Sequence, residues 1–241
     1  TPDRPLNSDT AEMPALLAIT IFGLLVGAIS NLAIERTPSI EGLVPPSLRN
    51  GVSFRVQLRR VVVTALAALL FALAWSRFGD SPIEFAAVAA FGTVFLVLAF
   101  VDLETLYLPD VIIYPAFIVA LAVLPFRSDL AIWEGVLGAM IGLAVFFPFA
   151  WVGDRIGRDI MGWGDVKFSA LLGIVLGVQL LLLLGLYLGI LIGGVVGIGA
   201  LLARGLGARR TLIPYGPSLA VGGLIALYAG SAITDWASRT L

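Results

Sequence analysis

The stretch Met161-Gly162-Trp163-Gly164-Asp165-Val166-Lys167 opens an apolar run that lasts from Val166 to Ala203. An ionisable acid at the mouth of such a run is costly and marks a candidate functional position. Gly162 and Gly164 precede it by three and one residues, free the backbone and let another chain come close. Outward from this stretch, long apolar blocks with charges at their ends recur along the whole chain. Of its 241 residues 59% are hydrophobic and only 13% charged, with a mean hydropathy of +1.03. A soluble domain carries about 25% charged residues. The solvent of this chain is therefore lipid. A crossing helix needs about 20 apolar residues, and the blocks predict an all-α, polytopic membrane protein of about eight transmembrane helices.

The spans read as residues 14–34, 61–75, 85–101, 111–126, 132–152, two short helices within 166–203 that break near Gly177-Val178-Gln179, and 214–236. Residues 1–12 lack a positive n-region, and no small-residue cleavage site follows the first block, which is expected to stay as a helix. Gly23 and Gly27 in that block suit close helix packing. Tight or polar loops are expected at 35–60, 102–110, 153–164 and 204–213, and the whole of 1–241 is expected to form one integral membrane domain.

With eight spans, one side of the membrane receives Arg36, Arg49, Arg55, Arg59, Arg60, Arg155, Arg158, Lys167, Arg204, Arg209 and Arg210. The other side receives only Arg4, Arg77, Arg127 and Arg239, while the acids divide evenly. Cations mark the cytoplasmic side, so both termini are expected to be extracytoplasmic. The basic residues of that side also suit anionic lipid, which is the expected surface partner. A net charge of −1 gives no basic surface for nucleic acid.

Cysteine and histidine are both absent. Thiolate nucleophiles, disulfides, thiolate or imidazole metal sites, and Ser–His or Cys–His pairs are excluded with them. Acid–base chemistry is left to Asp, Glu, Lys or Tyr. Asp102, directly after the apolar run Phe85–Val101, is a comparably placed partner for Asp165, and both fall at the cytoplasmic ends of their spans. Two carboxyl groups a few ångströms apart do not both ionise easily and can share one proton. One can then activate water while the other protonates a carbonyl oxygen, with no metal or cofactor.

Four motifs resemble one known family. Phe100-Val-Asp102-Leu-Glu-Thr-Leu-Tyr-Leu108-Pro109-Asp110 is similar to the first aspartate motif of type IV prepilin peptidases. Met161 to Lys167, continuing to Ala170-Leu-Leu-Gly173, resembles their GxGD signature. Pro214-Tyr-Gly216-Pro217, with Ala220 and Gly222-Gly223, resembles their C-terminal helix. Gly23 to Asn31, with Arg36-Thr-Pro38, is similar to their first helix.

The resemblance implies an aspartic endopeptidase of the bacterial inner membrane that acts at its cytoplasmic face. The implied partner is a prepilin or pseudopilin, recognised by its N-terminal leader and hydrophobic helix. Asp102 and Asp165 are the implied catalytic pair, with 61–241 as the peptidase core. Gly162, Trp163, Gly164, Lys167, Asp110, Pro214, Gly216 and Pro217 take binding or supporting places, the two glycines letting the substrate backbone reach Asp165. Many family members also N-methylate the new amino terminus with S-adenosylmethionine.

Two departures bear on that second activity. Typical bacterial members carry two zinc-binding Cys-x-x-Cys pairs in the first cytoplasmic loop, whereas 35–60 is short and cysteine-free. The family's Arg-x-x-x-x-Glu appears as Arg55 and Arg60 without the Glu. The methyl transfer is therefore left open, while the carboxylate pair is untouched.

Plainer readings stand beside these. Asp165 and Asp110 suit helix N-termini, and Lys167 suits a snorkelling contact with lipid headgroups. A GxGD intramembrane protease with other substrates shares the same pair. A proton-coupled transporter would use acids near the midplane and inverted repeats; here the acids lie at one face and no repeat is evident.

Overall fold

A computed structural model describes residues 8–37, 54–157, 161–178, 180–204 and 215–240. Among the described residues the chain is helical throughout, with no strand. The helices are α1 (Ser8–Arg36), α2 (Phe54–Phe78), α3 (Pro82–Thr105), α4 (Asp110–Val123, continued as a 3₁₀ turn Leu124–Phe126), α5 (Ile132–Ile156), α6 (Trp163–Leu176), α7 (Leu180–Arg204) and α8 (Gly216–Thr240). Five stretches are long and apolar enough to cross a membrane: Met13–Arg36, Phe54–Phe78, Pro82–Thr105, Ile132–Ile156 and Leu180–Gly199. The chain is a multi-pass membrane protein. In lipid the backbone must bond to itself, which is why these apolar blocks are helical.

Several helices run further than their apolar blocks, whereas α8 begins at Gly216, after the expected start of the last span. Helix α3 runs on to Thr105, so Asp102 lies within its last turn and not in a loop. Helix α5 continues to Ile156, and α2 starts at Phe54, inside the stretch read as a polar loop. Hydropathy marks where side chains meet lipid, whereas helical backbone bonds continue into the headgroup region under polar side chains. The break between the sixth and seventh helices falls where expected: α6 ends at Leu176 and α7 begins at Leu180, with Gly177 at a φ of 72°. Pro38, residues 205–214 and Arg158 to Ile160 lie outside the described residues.

Helix α3 is the central element. The share of its span buried inside the protein is 72%, against 22–33% for the other four long spans. Helix α6 is buried from Phe168 to Leu176. These inner helices touch through Phe95 and Phe168, edge to face with ring centroids 5.5 Å apart. Helix α8 packs along α3 as well, where the Tyr228 hydroxyl donates to the Val88 carbonyl at 3.2 Å.

Small residues set the closest crossings, as packing in lipid requires. A Cβ on Gly23 would stand 2.8 Å from the Cα of Ala68, and one on Gly27 2.6 Å from the Cα of Thr64, so α1 and α2 meet backbone to backbone. Between α5 and α6, a Cβ on Gly138 would meet the carbonyl carbon of Gly177 at 2.8 Å, and one on Gly173 the amide of Ala139 at 2.7 Å. The buried Ser169 hydroxyl lies 2.8 Å from the carbonyls of both Gly142 and Val166, across the same crossing.

Candidate active site

The polar contacts collect at one end of the bundle. At the ends of α1, α2 and α3, Arg59 is 9% exposed and bridges Glu35 at 2.5 Å and Glu104 at 2.6 Å. Arg60 adds a second, two-point contact to Glu35 at 2.7 and 3.0 Å. Arg60, which stands where the family's motif has its Glu, is thus held by Glu35 of α1. Below this cluster the Asn31 amide donates to the carbonyls of Gly27 at 3.0 Å and Arg60 at 3.2 Å.

Asp102 is buried, 5% exposed, one turn before the end of α3. Its Oδ2 accepts the backbone N–H of Gly216 at 3.0 Å, at the start of α8. Gly216 is close enough that a Cβ there would stand 2.8 Å from that oxygen and 3.0 Å from Cγ. Leu106 ends the helix in the left-handed region at a φ of 54°, its N–H donating to the Asp102 carbonyl at 2.9 Å. Thr105 turns its hydroxyl back to Val101 at 2.8 Å. The last turn of α3 is therefore held at both its backbone and its carboxylate.

Asp165 lies in the first turn of α6, whose N-cap is Gly162. Asp165 thus stands at the N-terminal end of that helix without being its N-cap. Likewise Pro109, not Asp110, occupies the N-cap of α4. Asp165 and Asp102 lie within electrostatic reach of each other, and Tyr215 lies within reach of Asp165. The Tyr215 ring sits edge to face with Phe146 of α5, centroids 5.9 Å apart, and rests on Gly193 of α7. Of these two consecutive residues, Gly216 is thus hydrogen-bonded to Asp102 and Tyr215 lies within electrostatic reach of Asp165.

The remaining candidates divide. The chain that comes close at Gly164 is the protein's own: a Cβ there would meet the Cβ of Leu108 at 2.8 Å. At Gly162 a Cβ would have Asp165 Oδ2 as its nearest neighbour, at 3.3 Å. Trp163 donates from Nε1 to Asp154 at 2.9 Å and stacks edge to face with Phe147 at 5.6 Å. Lys167 pairs with both oxygens of Asp110 at 2.7 and 2.8 Å and lies 5.2 Å from the Tyr114 ring centre. That pair joins α6 to α4 and leaves the two aspartates without a lysine. Pro217 enters the first turn of α8, and Pro214 lies outside the described residues. Tyr215, Leu108, Glu35 and Arg59 were not singled out by sequence reasoning. Tyr215 and Leu108 each lay inside a quoted motif, Pro214-Tyr-Gly-Pro217 and Leu108-Pro109-Asp110, and Arg59 was counted only for its charge.

Residues 89–198 match the model of the type IV leader peptidase family. The chain is 33% identical over 203 residues to the prepilin leader peptidase/N-methyltransferase of Pseudomonas putida, covering 83% of this chain and 69% of that one. The chain belongs to the type IV leader peptidase family. The Bacillus subtilis relative of the same description is 33% identical over 203 residues, 84% of this chain and 79% of its own. That of Aeromonas salmonicida is 34% identical over 149 residues, 61% of this chain. The chain spans about half the length of that relative, 50%. No solved structure matches. The stretch matched by the family model runs from α3 into α7 and contains both Asp102 and Asp165, while Gly216 lies beyond it.

Proposed function

We propose that this protein is a membrane aspartic endopeptidase that removes the leader peptide of type IV prepilins or pseudopilins, with Asp102 and Asp165 as its catalytic pair. The observation that carries this reading is that the two carboxyl groups, at the ends of the inner helices α3 and α6, lie within electrostatic reach of each other. Support also comes from the family, and from relatives named as prepilin leader peptidases. In the proposed reaction one carboxylate takes a proton from water as its oxygen adds to the scissile carbonyl carbon. The other carboxyl gives its proton to the carbonyl oxygen. Collapse of the tetrahedral intermediate breaks the C–N bond, the leaving nitrogen takes up the first proton, and the second carboxyl recovers its own.

Eight spans, extracytoplasmic termini and a site at the cytoplasmic face of the bacterial inner membrane complete the proposal, on the cation distribution. The stretch 1–241 acts as one domain in which 61–241 form the core, in contact with lipid and not with nucleic acid. The hydrophobic helix of the substrate is the part that lies in lipid, and its leader reaches the aspartates from the polar side.

Methylation of the product is proposed from the relatives' names alone. A thiolate zinc site does not fit, because the chain contains neither cysteine nor histidine. The apolar groove between α1 and α3, lined by Val26, Ile29, Ala33, Val94 and Val97, offers no acid to a sulfonium or a ribose. That groove does not fit S-adenosylmethionine.

The test is cleavage of a co-expressed prepilin. Asp102→Asn and Asp165→Asn should each abolish cleavage while the protein still inserts and purifies as the parent does. Full cleavage by both variants would sink the proposal.

A further inference from the structure

Resting on the peptidase reading, we infer that Arg59 is a positioning residue for Asp102: through Glu104 it fixes the last turn of α3 on the side away from Gly216. Asp102 and Glu104 both lie in that turn, two residues apart. At 3.6 residues per turn their side chains leave the helix about 200° apart, on nearly opposite sides. Gly216 holds the Asp102 side, its N–H 3.0 Å from Oδ2. Arg59 holds the Glu104 side, with Nη1 donating to both carboxylate oxygens at 2.6 and 2.7 Å.

The same guanidinium is fixed from behind. Its Nη2 donates to Glu35 of α1 at 2.5 Å, and the side chain is buried. Nε is buried with no partner among the described residues, so among these the direction of the fork is set by Glu35 and Glu104. A planar guanidinium between two acids is a stiffer tie than an ammonium on a flexible stem. It joins α3 to α1 and α2, which already meet backbone to backbone at Gly23 and Gly27. Between α1 and α3 the apolar groove lined by Val26, Ile29, Ala33, Val94 and Val97 parts the two helices short of the site. At the far end α2 and α3 meet through rings, Phe85 standing edge to face with Trp75 at 5.5 Å and with Phe71 at 6.2 Å. At the site end the tie is the Arg59–Glu104 pair.

A helix end held on one side can still roll about its axis, whereas anchors on opposite sides stop the roll. A carboxyl group stands about 5 Å from the axis, so a roll of about 20° carries it about 2 Å. Misplacing a reacting group by about 1 Å can cost about a hundredfold in rate. Among the described residues no bond joins Arg59 to either aspartate. It acts through Glu104.

The experiment has two arms. The first measures prepilin cleavage in Glu104→Ala, Arg59→Gln and the double variant, with Arg59→Lys and Arg60→Gln beside them. Glu104→Ala leaves Arg59 paired with Glu35, so it serves where Arg59→Gln fails to fold. It should lower kcat by about tenfold to a hundredfold with KM nearly unchanged, as expected when geometry is lost and binding is not. Arg59→Gln should do the same, and the double variant no more than either, because one tie is lost in all three. Arg59→Lys keeps the charge and should recover part of the loss. Arg60→Gln removes bonds to Glu35 but none to α3, and should stay within about fivefold of the parent. An unchanged kcat in Glu104→Ala, an equal loss in Arg60→Gln, or a rise in KM alone overturns the inference. A merely structural role would lower the yield of folded protein and leave kcat per folded molecule at the parent's value, which also overturns it.

The second arm needs no substrate. Amide hydrogen exchange at the end of α3, where Leu106 N–H donates to the Asp102 carbonyl, should quicken by about tenfold in Glu104→Ala while α7 exchanges as in the parent. Alanine is the better helix former, so propensity alone would act the other way. Unaltered exchange at that turn overturns the inference. Failure of the peptidase reading would show instead as full prepilin cleavage by both Asp→Asn variants, with the exchange result standing.

Discussion

The backbone N–H of Gly216 reaches across 114 residues of sequence to the Oδ2 of Asp102, at 3.0 Å. It ties the start of the last helix to the end of the central one. Tyr215, the preceding residue, lies within electrostatic reach of Asp165. The C-terminal motif is therefore part of the site and not a distant packing element. Any movement of α8 along α3 would change the surroundings of both carboxyl groups at once.

The crossing of α5 and α6 sets where Asp165 stands. A Cβ on Gly138 would meet backbone carbons of Gly177 and Gly173 at 2.8 and 3.0 Å, and backbone cannot swing aside as a flexible side chain can. Gly138→Ala should destabilise the protein by about 1–3 kcal/mol. Gly197→Ala is the control, since nothing lies within 4 Å of its added Cβ. Thermal unfolding in detergent should show a lowered midpoint for the first and none for the second. Equal midpoints would contradict the packing at this crossing.

Lys167 and Asp110 form a partly exposed pair, with side chains 33% and 42% exposed. Such pairs contribute about 1 kcal/mol or less. Lys167→Met and Asp110→Asn should each leave cleavage within about fivefold of the parent, the factor that 1 kcal/mol represents. In a double-mutant cycle the two should couple with each other. Complete loss of cleavage in Lys167→Met would instead place the ammonium in the chemistry.

Leu106 adopts a φ of 54°, a conformation that costs a residue with a Cβ about 1–2 kcal/mol. Leu106→Gly should relieve part of it and stabilise the protein by about 0.5–1 kcal/mol, once the added freedom of the unfolded chain is subtracted. A chemical or thermal unfolding series would read this as a raised midpoint. A lowered midpoint would mean that the half-exposed Leu106 side chain contributes more by contact than its backbone costs.

Local features were legible early. The Gly23 and Gly27 pair was read as a packing face, and its glycines do meet α2 backbone to backbone. The break after Leu176 was readable because Gly177 interrupts an otherwise continuous apolar run. Helix ends were harder. Asp102 read as the first residue of a loop, yet α3 carries it a full turn inside, because helix bonds continue past the last apolar side chain. The loops read as polar at 35–60 and 153–164 were shortened for the same reason.

Composition and hydropathy by themselves determined that lipid is the solvent, that the elements are helices, and that chemistry here has no thiol or imidazole. These are properties of each segment against its surroundings, and unsatisfied backbone in lipid is too costly to permit another answer. Which helix touches which was decided only in three dimensions. In lipid the inner and outer faces of a helix are both apolar, so α3 and α6 carry no stripe that names their neighbours. Tertiary packing alone brought Leu108 against Gly164, bound Arg59 between Glu35 and Glu104, and set Gly216 against Asp102. Those contacts depend on a few small or polar atoms meeting across distant segments, where a single Cβ or N–H decides whether the chains fit.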